Sequence, residues 1–138
     1  IVQVISGLLN NAIKYTEDGG EIEITINYPS KKIKNLTGLD TSKYLDIIVS
    51  DNGIGIAKNK LEKIFDKFTE LTQIEKHHSS DIEFMGCGVG LGLSICKAII
   101  QALNGYIWAE NRTPKGTNVM VVLPISQKQD NLFNESSK

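Results

Sequence analysis

Apolar residues recur along this chain with two different periods. In residues 1–15, IVQVISGLLNNAIKY, Val4, Ile5, Leu8, Leu9, Ala12 and Ile13 fall three or four apart, the spacing of one helix face. Gly19 and Gly20 in TEDGG break that pattern. Residues 21–28, EIEITINY, switch to alternation, with Ile22, Ile24 and Ile26 against polar neighbours; this predicts a strand with one wet face. A polar, lysine-rich connection over 29–43 leads to KYLDIIVSD at 43–51, a second strand apolar enough to be central in a sheet. The two strands are expected to pair as an antiparallel hairpin.

Beyond DNGIGI at 51–56, AKNKLEKIFDKF carries a short helical pattern, and TELTQIEKHHSSDIEF at 69–84 is polar and mixed. A segment of that length without regular pattern reads as a long mobile stretch, either a functional lid or disordered. A helix is predicted over 91–103, stopped by Asn104-Gly105. YIWAEN at 106–111 and TNVMVVLP at 117–124 read as strands around the turn RTPKG. The order predicts an α+β fold: a mixed sheet with helices on one face, a two-layer α/β sandwich. One domain over 1–125 is expected, followed by a disordered polar tail over 126–138.

Net charge is −1, which makes no electrostatic case for nucleic acid or a membrane surface. No apolar run reaches the roughly 18–20 residues of a spanning helix. The opening residues lack the basic region of a signal peptide. They start inside a helical pattern without Met, so the chain is read as a piece of a longer protein. The two cysteines, Cys87 and Cys96, form no disulfide framework and fit a reducing cytosol. His77 and His78 are adjacent, and no Cys/His set with zinc spacing accompanies them.

Three stretches carry candidate chemistry. The first is MGCGVGLGLSIC, with glycines at 86, 88, 90 and 92 just before the predicted helix. Glycine within an element costs roughly 0.5–1 kcal/mol relative to alanine, so the run calls for a reason. It lacks the GxxxxGK[ST] of a P-loop and the preceding strand of a dinucleotide fingerprint. It is either a flexible hinge or a bare-backbone approach to unpaired helix amides, which attract an anion. The second stretch is DNGIGI, where Asp51 ends a buried strand and needs donors. It is either a turn aspartate or an acceptor for the exocyclic amine of a base, with Gly53 and Gly55 letting the ring slide against backbone. In the third, Asn11, Lys14 and Tyr15 share a helix face. That face is either solvated, or it offers a magnesium ligand, a phosphate-binding cation and a ring to pack on a nucleotide.

NNAIKYT, DNGIGI, IFDKF, GVGLGLSI and KGTNVMVVLP, in this order, resemble the catalytic ATP-binding domain of sensor histidine kinases, within the GHKL ATPases of the Bergerat fold. The resemblance covers residues 1–125 and implies ATP and Mg²⁺ as ligands. By position it implies that Asn11 is the magnesium-binding asparagine, with Lys14 at phosphate and Tyr15 against the nucleotide. Asp51 resembles the aspartate that receives the adenine amine, beside Gly53, Gly55 and Ile56. Phe65 and Phe68 match the family's phenylalanine box at the lid base. Lys67 stands where a catalytic basic residue reaches the γ-phosphate. Gly88, Gly90, Leu91 and Gly92 match the glycine box that closes on the phosphates, and Gly116 and Thr117 the last glycine box beside the adenine pocket.

The chain departs from the family in having Gly7 four residues before the magnesium asparagine, Glu70 where many relatives have Arg, Val89 in place of a small or polar residue, and a longer loop over 29–43. Relatives that hydrolyse ATP or phosphorylate serine carry an acid at the position of Gly7 to remove a proton. Neutral imidazole needs no such help, so Gly7 favours a histidine acceptor. The resemblance implies transfer of the γ-phosphoryl group to a histidine on a separate dimerisation domain of the same protein. A response regulator receiver domain is the expected further partner, with neither nucleic acid nor direct membrane contact, in the cytoplasm. A nucleotide-gated interaction module without transfer and an ATPase clamp are the alternatives.

Overall fold

The computed structural model describes residues 1–28, 30, 40–66 and 92–125. Helix α1 spans Val2–Tyr15 and strand β1 Ile22–Asn27. Strand β2 covers Tyr44–Asp51, helix α2 Gly92–Ala102, strand β3 Tyr106–Asn111 and strand β4 Thr117–Pro124. The two longer helices and the four strands anticipated from periodicity are present to within about a residue.

The four strands form one sheet in the order β1-β2-β4-β3, with every neighbouring pair antiparallel. The α+β two-layer expectation holds, but among the described strands the sheet is not mixed. β3 and β4 are joined by a short turn and so must run oppositely. β4 then inserts beside β2, also antiparallel, which leaves β1 and β3 as the described edges.

Register brings one row of side chains to the end of the sheet. Ile22 lies opposite Asp51, Asp51 opposite Thr117, and Thr117 opposite Asn111. Successive side chains in a strand alternate between faces, so this row shares the face carrying Ile47, Val49, Val119 and Val121. That face meets the helices. Val4, Leu8 and Ala12 of α1 and Cys96 and Ile100 of α2 join those residues and Phe65 in a single core cluster. The 4, 8, 12 spacing in α1 is the buried stripe of an amphipathic helix.

Two sequence expectations change in detail. The pattern over 57–68 forms two 3₁₀ turns among its described residues, Lys58–Lys60 and Lys63–Phe65. Helix nucleation is costly over so few residues, and burial of Phe65 anchors the second turn. On β1, alternation marks the strand correctly but not its burial: Ile24 and Ile26 are 42% and 65% exposed. The helices rest on β2 and β3, so the edge isoleucines beyond Ile22 remain outside the core. On the opposite sheet face Asp46 is buried and accepts a hydrogen bond from the buried Ser30 hydroxyl.

Candidate functional site

Asp51 closes β2 at the row just described and is 5% exposed. Its Oδ1 accepts the Gly53 N–H at 2.9 Å and the Thr117 N–H at 3.3 Å. Both bonds fall on one oxygen. Oδ2 accepts no hydrogen bond from the described residues, and Asp51 lines a cleft. A buried carboxylate oxygen left open to a cavity is a strong acceptor for a ligand N–H.

The cleft is walled by Ile54, Ile56, Ala57, Ile64 and Leu93. Its polar points are Asn11, Asp51, Lys60 and Thr117, with Tyr15 and Gly55 completing the lining. Apolar walls with a few convergent polar groups are the usual make-up of a small-molecule site. Its volume is about 220 Å³, below the roughly 300–1,000 Å³ of pockets that enclose a whole ligand. The described walls enclose room for a flat ring system rather than for an entire nucleotide.

The loop after Asp51 gets its shape from an almost complete backbone account. Asn52 N–H donates to Glu21 C=O at 3.2 Å, Gly53 N–H to Asp51, and Ile54 N–H to Tyr15 C=O at 3.1 Å. The loop thus crosses over the end of α1. A Cβ on Gly53 would lie 2.2 Å from the Tyr15 carbonyl oxygen, so only glycine permits the crossing. From the other side the β3–β4 turn presses on β2. Gly116 has φ +113°, and its Cβ would lie 2.0 Å from the Asp51 carbonyl oxygen. Arg112 donates to that carbonyl through Nη1 at 3.2 Å.

Of the residues anticipated from sequence, the structure brings Asn11, Tyr15, Asp51, Gly55, Ile56 and Thr117 together around the cleft. Asn11 and Tyr15 lie one helical turn apart on α1. Lys14 does not line the cleft: it is exposed, and its ammonium sits 5.2 Å from the Tyr15 ring centroid. Gly53 shapes the loop from behind. Gly92 opens the described part of α2, where nothing among the described residues beyond its chain neighbours and its own helix backbone comes within 4 Å of its Cβ position, and the neighbouring Leu93 reaches the cleft. Phe65 is a core residue. Lys67, Phe68, Gly88, Gly90 and Leu91, with the anticipated lid and tail, lie outside the described residues.

Sequence reasoning missed Ile54, Ala57, Lys60, Ile64 and Leu93. Ile54 carried a signal, since it stands inside DNGIGI. The others come from two 3₁₀ turns and a helix start, whose approach to one another no spacing rule reports.

Magnesium fits the donors present. The Asn11 amide makes no hydrogen bond among the described residues and faces the cleft. No group of three or more His, Cys, Asp or Glu capable of holding a metal occurs among the described residues. Mg²⁺ takes oxygen ligands and usually keeps several waters beside substrate phosphates, so one amide oxygen is a compatible donor.

Comparison with known proteins now decides the family. Residues 1–127 match the model of the histidine kinase-, DNA gyrase B-, and HSP90-like ATPase family. The chain belongs to that family. ATP is the ligand this ATPase family implies. Among curated relatives, the sensor histidine kinase WalK of Bacillus subtilis is 33% identical over 136 residues, which is 99% of this chain and 20% of WalK. The sensor protein CiaH of Streptococcus pneumoniae is 36% identical over 123 residues, 89% of this chain and 23% of CiaH. The chain therefore spans about a fifth of the length of these relatives. Among solved structures, a nucleotide-free form of the catalytic domain of histidine kinase ThkA is 31% identical with a TM-score of 0.61, covering 88% of this chain and 65% of that one. The likeness to the solved catalytic domain covers the sheet and both helices.

Proposed function

We propose that this chain is the ATP-binding catalytic domain of a two-component sensor histidine kinase. It binds Mg-ATP and passes the γ-phosphoryl group to a histidine on a separate dimerisation domain of the same protein. The carrying observation is Asp51, whose Oδ1 is held by two backbone amides while Oδ2 is left for a ligand in an apolar cleft. That arrangement suits the exocyclic amine of adenine, with Ile54, Ile56 and Ile64 against the ring faces and Tyr15 and Thr117 at its edge.

Asn11 lies on the cleft side where the triphosphate would leave the base, and it would hold the magnesium ion. Bound there, Mg²⁺ neutralises charge on the phosphate oxygens. Lys67 and the glycines Gly88, Gly90 and Gly92 are the proposed phosphate contacts. The imidazole nitrogen of the acceptor attacks phosphorus, an N–P bond forms, and the bond to the ADP oxygen breaks. Such transfers depend on positioning and charge stabilisation rather than covalent catalysis by the protein.

Gly7 supports this reading over an ATPase clamp. It lies one turn before Asn11 on α1 and brings no side chain, so no general base for water stands there. The proposed setting is cytoplasmic, with a response regulator receiver domain as the downstream partner. The ThkA kinase has been solved in complex with the response regulator TrrA. No helix among the described residues is long and apolar enough to cross a membrane.

The test combines this chain, a histidine-bearing dimerisation domain and γ-labelled ATP with Mg²⁺. Label on the histidine of the second domain is expected. Tight ATP binding without label would leave a nucleotide-gated module instead, and steady phosphate release by the chain alone would indicate a clamp.

A further inference from the structure

One side chain beside the cleft reaches across 55 residues of sequence to the loop that walls it. Asn111 is the last residue of β3, opposite Thr117 in the sheet. Its Oδ1 accepts the Ile56 N–H at 2.8 Å, and its Nδ2 donates to the Ile56 carbonyl at 2.5 Å. A single carboxamide therefore satisfies both backbone groups of one residue. This is the two-bond pattern of a narrow antiparallel strand pair, made by a side chain.

The position of these bonds matters. The first half of the loop is tied down by Asn52, Gly53 and Ile54, as described above. The second half is Gly55-Ile56-Ala57, all three lining the cleft. Gly55 sits at φ +74° and brings no side chain to restrain it. Among the described residues, the Asn111 amide supplies the hydrogen bonds that fasten this half to the sheet. The Gly55 Cβ position lies 3.3 Å from Asn111 Oδ1, so the clamp and the bare backbone fit against each other.

We infer that Asn111 is a positioning residue for the nucleotide site: its carboxamide clamps Ile56 and so holds the 55–57 wall in the place where it meets the base. The inference rests on the nucleotide reading above. Without the clamp the free chain samples loop positions that do not accept the ring, and apparent affinity falls by the fraction of time spent there. The fold itself does not depend on it, because the backbone ladder between β3 and β4 remains.

The test is the Asn111→Ala variant, measured by calorimetric titration with Mg-ATP and by amide hydrogen exchange. Affinity is expected to fall roughly tenfold, corresponding to a loop competent about a tenth of the time. The unfolding midpoint is expected to stay within about 2 °C of wild type. Exchange at Ile56 should accelerate in the free variant and return to the wild-type rate at saturating ATP. That recovery separates a loop-positioning role from a structural one. Wild-type affinity in the variant overturns the inference, as does faster exchange spread over the sheet together with a lowered midpoint. If the variant does not fold, exchange in the unsubstituted chain decides: Ile56 must be better protected than Gly55 and gain protection with ATP, and equal rates sink the clamp. A wild-type chain that ignores ATP would overturn the nucleotide reading itself, an outcome distinct from wild-type binding that N111A shares.

Discussion

Gly7 of α1 faces Cys96 of α2 so closely that a Cβ at position 7 would lie 2.7 Å from the cysteine Sγ. Cys96 is 2% exposed, and its thiol donates to the Val4 carbonyl at 3.7 Å. The glycine one turn before Asn11 is therefore a helix-crossing residue: its missing side chain lets α1 and α2 approach. Replacing it by alanine sets two effects against each other. Helix propensity gains about 1 kcal/mol, while overpacking against a buried neighbour costs about 1–3 kcal/mol. Net destabilisation is expected for Gly7→Ala in denaturant unfolding. The loss should shrink in a Cys96→Ala background, since the two positions are coupled; equal losses in both backgrounds would refute the contact.

Burial pushes the Cys96 thiol pKa above its ordinary value. The unfolded chain releases this proton near the usual cysteine pKa of about 8.5, while the folded chain retains it. Above that pH the unfolded state binds fewer protons, so stability falls as pH rises. The contribution is complete below the unfolded pKa and is lost on the way up to the folded one. Thermal unfolding followed from pH 7 to 10 should decline more in wild type than in Cys96→Ala. Alkylation of Cys96 in the folded chain should be slow at neutral pH.

Asp51→Asn keeps an Oδ1 acceptor for the Gly53 and Thr117 amides but turns an NH₂ towards the cleft. Two donors then face each other where the adenine amine would bind. ATP affinity is expected to fall by about 1–3 kcal/mol, the cost of an unmet buried hydrogen bond. Calorimetry with unchanged affinity would remove Asp51 from the site.

On β1, Ile26 is 65% exposed whereas Ile100 of α2 is fully buried. Ile26→Thr should alter stability by no more than about 0.5 kcal/mol, as surface substitutions do. Ile100→Ala should cost about 2–5 kcal/mol through lost burial and a residual cavity. Comparable losses at both sites would mean that β1 is covered in solution.

Gly116→Ala tests the backbone contact between the β3–β4 turn and β2. A Cβ 2.0 Å from the Asp51 carbonyl oxygen, at φ +113°, has no small adjustment open to it. Strain at such a position is worth about 1–3 kcal/mol before any clash is counted. A lowered unfolding midpoint is expected together with weakened ATP binding, because Thr117 and Asp51 move with the turn.

Periodicity alone pointed to helices over 1–15 and 91–103 and to four strands, because a helix or strand advertises its buried face through local spacing. Ordered motifs also pointed to Asn11, Tyr15, Asp51, Gly55, Ile56 and Thr117, which converge on one cleft. Other features were decided only by tertiary structure. β4 inserts between β2 and β3, which sets the row of Asp51, Thr117 and Asn111. The helices cover β2 and β3, so the isoleucines of β1 alternate correctly yet stay wet. Gly7 is bare because of Cys96, and Asn111 grips Ile56, across 89 and 55 residues of chain respectively. Local patterns record how each residue relates to its own element. The distance between two elements is set by the packing of the whole, where burial and close approach outweigh any single propensity.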